Sequence, residues 1–188
     1  MRLFMGLVHY PVYNKNGETI ASAVTPLDLH DLARLARTFD VSRVFVITPL
    51  EDQRELAERV VSHWTRGYGA RYNPHRGEAV RLVTVVSTVE RAVDRVRAMT
   101  EDAPVLVATA AGRRGIRPVP YARVRGFLRQ DRPVLLLFGT AWGLTDELMR
   151  RVDHVLEPVE GAGNYNHLSV RTAAAIVLDR LAGRDDAG

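Results

Sequence analysis

Gly161–Leu181 reads GAGNYNHLSVRTAAAIVLDRL, and two different demands meet in it. The first half is a loop. Gly161 and Gly163 open unusual backbone angles, while Asn164, Asn166, His167 and Ser169 bring side chains able to cap a helix or bind a ligand. The second half is helical, with Val170, Ala174, Val177, Leu178 and Leu181 along one face. Ala173, Ala174 and Ala175 let a neighbouring backbone approach closely. A capped, packed terminal helix accounts for the alanines but leaves the crowded polar loop unexplained. A loop seated against other loops, followed by a helix passing close to another segment, accounts for both.

The rest of the chain supplies those other loops. Near-continuous apolar runs at 2–8, 43–48, 81–86, 104–109 and 133–138, with a shorter one at 154–159, read as strands buried on both faces, as in a parallel sheet. Helical patterns lie between them at about 27–39, 50–65, 88–99, 119–129, 145–151 and 167–182. TPLD (25–28) and TPLE (48–51) each offer a Thr cap, a proline at the first helical position and an acid, and STVE (87–90) reads as a third capping box. The alternation implies an α/β fold, a mainly parallel sheet with helices on both faces. One domain is expected over 1–182, with 183–188 as a disordered tail.

Composition narrows the function classes. The 188 residues suffice for one cored domain, carry a net charge of +4 and include no cysteine. Disulfides, zinc–thiolate sites and thiol nucleophiles are thereby excluded, and no metal site is expected. No apolar run reaches the ~18–20 residues that span a membrane, and no secretory signal pattern opens the chain, so a cytoplasmic protein is expected. Lys15 is the single lysine, and arginine carries the positive charge. Arginine suits bidentate phosphate contact and base stacking, which makes nucleic acid a natural partner, although a GC-rich genome also favours arginine over lysine.

Ligands of such sheets bind at the carboxyl ends of the strands. Three loops there are rich in small residues: ATAAGRRGIRP (108–118), FGTAWGLTDEL (138–148) and EPVEGAGNYNHLS (157–169). The second sets Gly139 and Gly143 about Trp142, so its backbone can cradle an adenosine with Leu144 against the base, or simply make a tight strand-to-helix turn. Neither a phosphate-binding Gly-Lys-Ser/Thr loop nor GxGxxG occurs, which disfavours nucleotide triphosphates and dinucleotides.

LLLFGTAWGLTDEL (135–148), a strand, and NYNHLSVRTAAAIVLDRL (164–181) resemble the last two motifs of the SPOUT superfamily. These are S-adenosylmethionine-dependent RNA methyltransferases with a deep C-terminal trefoil knot. More narrowly, the chain resembles a bacterial RNA methyltransferase family within it, through residues 8–39, TPLEDQ (48–53) and HWTRGYGARYNPHRGEA (63–79). Ala141 departs from the pattern, standing where relatives are expected to carry glycine.

The resemblance implies a final loop and helix threaded through an earlier loop, which no rule of unknotted topology anticipates. It implies a homodimer with a shared acceptor site and tRNA or rRNA as substrate. It places S-adenosylmethionine among Thr109 and Ala110; Phe138, Gly139, Thr140, Trp142 and Gly143; Leu156, Pro158, Val159 and Gly161; and Asn166, His167, Leu168 and Ser169.

On the acceptor side, His30, Arg34 and Arg37 share a helical face opposite Leu32, Ala36 and Phe39. Superfamily members often use an arginine in this first motif, which makes Arg34, with Asn166, the candidate catalytic pair. His30 and Arg37, with Tyr72 and Arg76 from a loop at 71–79, are candidates for RNA contact. His9, Tyr10 and Asn14 follow the first strand and could approach the same site. The other readings are an inactive knotted RNA- or cofactor-binding protein and a nucleotide-binding metabolic α/β enzyme.

Overall fold

A computed structural model describes residues 1–112, 117–163 and 165–184. In chain order its elements are β1 (Leu3–Val8), a hairpin of β2 (Val12–Tyr13) and β3 (Thr19–Ile20), α1 (Pro26–Thr38), β4 (Arg43–Ile47), α2 (Glu51–Thr65), α3 (Tyr68–Tyr72), α4 (Pro74–Val80), β5 (Val83–Val86), α5 (Val89–Thr100), β6 (Val105–Ala108), α6 (Tyr121–Arg129), β7 (Val134–Gly139), α7 (Asp146–Arg151), β8 (His154–Val155) and α8 (Val170–Ala182). Asn164 and the tail residues 185–188 lie outside the described residues, as do 113–116 of the first small-residue loop.

Six strands form one sheet in the order β5-β4-β1-β7-β6-β8, with every pairing parallel. Side-chain alternation splits the core into two layers. Leu3, Met5 and Leu7 of β1 face a cluster with Ala33 and Ala36 of α1, Val124 of α6 and Leu178 of α8. Phe4 and Val8 face the other side, with Val89, Ala92 and Val96 of α5 and Leu148 and Met149 of α7. Helices cover both faces, which is why the strands read as continuous apolar runs. Among the described residues no helix is long and apolar enough to cross a membrane.

Local chemistry sets the boundaries. Thr25 caps α1 by accepting from the Asp28 amide at 3.2 Å, with Pro26 first in the helix. The other two caps differ from expectation. Thr48 is buried at the end of β4 and its hydroxyl takes the Leu50 amide, so α2 begins at Glu51. Thr88, one residue later than expected, caps α5 through the Arg91 amide, and Glu90 pairs with Arg151 instead of closing a box.

Two further differences lie in loops. Residues 71–79 are not a loop: they belong to α3 and α4, and Asn73 caps α4 by accepting from Arg76 N, with Pro74 next. The β2–β3 hairpin has only two residues per strand, too few for a period-2 pattern to show. At the far edge β8 lies between β6 and Val119, for Leu156 N donates to the Ala108 carbonyl while on the other side Val119 N donates to the Val155 carbonyl and Glu157 N to the Val119 carbonyl. The connection after β6 therefore reaches across the end of β8.

Candidate functional site

Small residues make a space where β6, β7 and β8 end. The loops after these strands, joined by the N-terminal half of α8 and by Ser22, Ala23 and Asp28, line one cleft of about 760 Å³. All the expected cofactor residues line it except Gly161. Gly161 is exposed, and a side chain there would meet open space.

Each loop is held by identifiable bonds. Thr109 donates its hydroxyl to the Leu137 carbonyl at 3.0 Å. Asn166 donates its side-chain amide to the Ala111 carbonyl at 2.5 Å, stapling the loop before α8 to the loop after β6. Ser169 is the cap of α8, accepting from Thr172 N at 3.3 Å, while it also lines the cleft. His167 is exposed and meets Tyr165 edge to face, with ring centroids 5.2 Å apart.

The turn after β7 is braced from the hairpin: Tyr13 N donates to the Gly143 carbonyl and Trp142 N to the Tyr13 carbonyl. Gly143 sits at φ 95° and Ala141 at φ 50°. The left-handed region costs an L-residue roughly 1–2 kcal/mol, so Ala141 strains a turn that glycine would fit freely. Gly139 is needed for a different reason. A Cβ there would fall 2.7 Å from Leu144 N, so a side chain at Gly139 breaks the turn itself before it fills any ligand space.

Beneath the cleft lies a polar chain. The Thr140 hydroxyl donates to the Val8 carbonyl at 3.0 Å and so accepts from Ser22 Oγ at 2.5 Å. Ser22 has then spent its proton and accepts from His9 Nδ1 at 2.9 Å. His9 is fully buried, and its Nε2 is a lone pair with no hydrogen-bond partner among the described residues. Burial lowers the His9 pKa to about 4, outweighing the opposing pull of Asp28 and of a hydrogen bond to the Ala23 backbone. His9 is thus neutral and fixes the orientation of Ser22.

Asp28, also buried, takes the Thr25 hydroxyl at 2.7 Å and Arg171 Nη1 at 3.1 Å, and Arg171 reaches Asp31 at 3.3 Å. These bonds tie the N-terminal ends of α1 and α8. Ser22 and Arg171 carried no pattern in the sequence, and Asp28 only that of a helix cap: the hairpin and the α1–α8 crossing bring them here. The apposition of α1 to α8 was the missing signal.

The residues on this face of α1 make separate contacts. Arg34 is exposed and does not line the cleft. Arg37 pairs with Glu78 at 2.6 Å. His30 packs edge-on to Trp64, at 5.3 Å between ring centroids, and burial followed by the Arg76 charge lowers its pKa. Arg76 lies over the Trp64 ring at 4.7 Å, and Tyr72 is exposed. None of the four expected RNA-contact residues touches the cleft.

The sheet and its cleft share the fold of solved SpoU/TrmH methyltransferase structures. A tRNA-modifying enzyme of that kind from Aquifex aeolicus superposes with TM-score 0.56 at 14% identity, over 96% of this chain and 73% of that one. An rRNA methyltransferase from Sinorhizobium meliloti, solved with S-adenosylmethionine bound, gives 0.56 at 16%, over 96% and 55%. A methylase family protein from Neisseria gonorrhoeae gives 0.66 at 16%, over 100% and 84%.

The chain belongs to the SAM-dependent RNA methyltransferase family, whose model matches residues 2–183, and the family's methyl donor is S-adenosylmethionine. It is 47% identical over 181 residues to a tRNA (guanine-N(1)-)-methyltransferase of Oleidesulfovibrio alaskensis, covering 96% of this chain and 42% of that protein. An uncharacterized protein of Aquifex aeolicus is 38% identical over 184 residues, 97% of this chain and 89% of its own. The chain thus spans well under half of the tRNA methyltransferase it matches.

Proposed function

We propose that the chain binds S-adenosylmethionine in this cleft and transfers its methyl group to a nucleotide of a structured RNA, tRNA or rRNA. What carries the reading is the convergence of three small-residue loops on one cleft at the strand ends. Its volume falls within the ~300–1,000 Å³ of small-molecule sites. The fit to the donor is chemical as well. Ala110, Ala111, Gly139 and Gly143 expose backbone to an adenosine, and Asp28, which shares Arg171 with Asp31, lines the cleft as part of a group with net negative charge suited to a sulfonium. The guanine-N(1) activity named for the relatives belongs to proteins more than twice as long as the matched segment, so the acceptor is proposed as RNA, with no atom carried over.

The bound donor supplies a methyl carbon open to in-line attack. The protein's contribution is positioning. Thr109, Thr140, Leu156, Pro158, Val159 and Leu168 form the wall, Trp142 the rim, and Asn166 and Ser169 hold the closing loop. Arg34 does not line the cleft of its own chain, and in this reading it positions the acceptor at the cleft of a partner subunit in a homodimer. Support for a C-terminal trefoil knot comes from β8, held between β6 and Val119, and from the Asn166–Ala111 staple beyond it. One domain, 1–182, and a cytoplasmic location complete the proposal.

Calorimetry is expected to show S-adenosylmethionine and its demethylated product binding in the micromolar range, with nicotinamide dinucleotides and ATP much weaker. Mass spectrometry of RNA nucleosides from cells with and without the protein is expected to differ by one methylated species. Preferential dinucleotide binding sinks the assignment. Donor binding without any methylated nucleoside makes the protein an inactive binding module.

A further inference from the structure

Residues 59–77 contain four arginines and two histidines but no carboxylate. They form the end of α2, all of α3 and the start of α4. Two close approaches seat α3 and α4 on α2. A Cβ on Gly69 would lie 2.7 Å from the Trp64 ring, and one on Gly77 2.7 Å from the Trp64 carbonyl. Trp64 in turn meets His63 edge-on at 5.2 Å and carries the Arg76 guanidinium above it. The base of this platform is therefore rigid, and its groups are committed inward.

The top is different. Tyr68 and Tyr72, one turn apart on α3, stack at 5.9 Å with 22° between their planes, and they are 72% and 73% exposed. Rings so exposed contribute little to the core. Arg66, Arg71 and His75 stand exposed around them. The carboxylate that ends the basic segment, Glu78, is paired with Arg37. None of these residues lines the cleft.

We propose that this platform docks an unpaired segment of RNA, with a base stacked on Tyr68 or Tyr72 and the flanking phosphates neutralised by Arg66 and Arg71. Stacking on an aromatic ring needs a splayed-out base, which single strands and loops supply and a continuous duplex does not. A basic segment without carboxylates suits a polyanion. The inference rests on the preceding reading only in naming RNA as the partner.

Fluorescence anisotropy with a labelled single-stranded RNA of about twelve nucleotides, within the site sizes of single-strand binders, tests it. The double variant Tyr68→Ala/Tyr72→Ala is expected to lose about tenfold in affinity, and Tyr68→Phe/Tyr72→Phe to keep it, because a phenyl ring stacks as well. Arg71→Ala is expected to lower the slope of log affinity against log salt by about 1. S-adenosylmethionine affinity by calorimetry stays at the wild-type value in all three. Wild-type affinity in the double alanine variant overturns the platform, as does an equal loss in the phenylalanine variant. A change of oligomeric mass in the alanine variant, with RNA affinity intact, reassigns the patch to contacts between copies. A wild-type protein that binds donor but no RNA overturns the RNA reading itself.

Discussion

His9 is a titratable ring held where charge is costly. The unfolded chain takes up its proton near pH 6.5, the folded chain only near pH 4. In that interval the unfolded state binds more protons, so the contribution to stability is full above about pH 6.5 and is lost as pH falls toward 4. A shift of this size is worth at most about 3 kcal/mol. Urea midpoints measured between pH 7 and 4 are expected to fall, and His9→Gln, which cannot titrate, to show a flatter profile. The same slope in both proteins would mean that acid sensitivity comes from carboxylates instead. The ring also explains why Ser22 presents its oxygen in one orientation: its single proton is already directed to Thr140. At the same scale Gly139 shows why identity and purpose are separate questions. Glycine is required there, yet by the backbone of Leu144 and not by the ligand.

At the scale of elements, the Asn166 side chain ties the loop before α8 to the loop after β6 through the Ala111 carbonyl. A hydrogen bond of this kind contributes about 1 kcal/mol. Asn166→Ala is therefore expected to weaken S-adenosylmethionine binding by about fivefold, with little change in thermal midpoint because the loop is largely exposed. Unchanged affinity in calorimetry would leave the staple without a role in binding. The loops themselves were legible in the sequence because small residues and strand ends are local signals. The six strands were legible because burial on both faces leaves continuous apolar runs. The caps of α2 and α5 were misplaced by local rules: Ser87 and Thr88 had equal claims by residue type at α5, while at α2 Thr48 is buried at the end of β4 and the helix begins only after Leu50. The α3–α4 pair was read as a loop because its five- and seven-residue helices are too short for a helical period. Ser22, Asp28 and Arg171 depend on long-range crossings, which no spacing in the chain encodes.

Taken as a whole molecule, the described residues leave large apolar side chains exposed at the helix starts beside the cleft. Leu27, in the first turn of α1, is 63% exposed, and Tyr165 and Leu168, just before α8, are 80% and 44% exposed. The Asp28–Arg171 and Asp31–Arg171 contacts bring these two helix starts together, and Leu168 and Asp28, the chain neighbour of Leu27, both line the cleft. Large apolar groups gathered at one place on a surface mark an interaction site. A second copy packing there would cover them and would also carry Arg34 of one subunit toward the cleft of the other, which its own fold does not do. Light scattering at micromolar concentration is expected to give about twice the 21.0 kDa chain mass. Leu27→Glu with Tyr165→Glu, neither of which lines the cleft, is expected to shift the protein to monomer by placing charge in the contact, while each α1 and α8 core face stays intact. If the interface is what completes the acceptor site, methyl transfer should fall with the dimer while donor binding, measured on the same samples, changes much less. A wild-type monomer that methylates RNA would contradict the shared site, and the role given to Arg34 would pass to groups that line the cleft within one chain, beginning with Ser22 and Asp28.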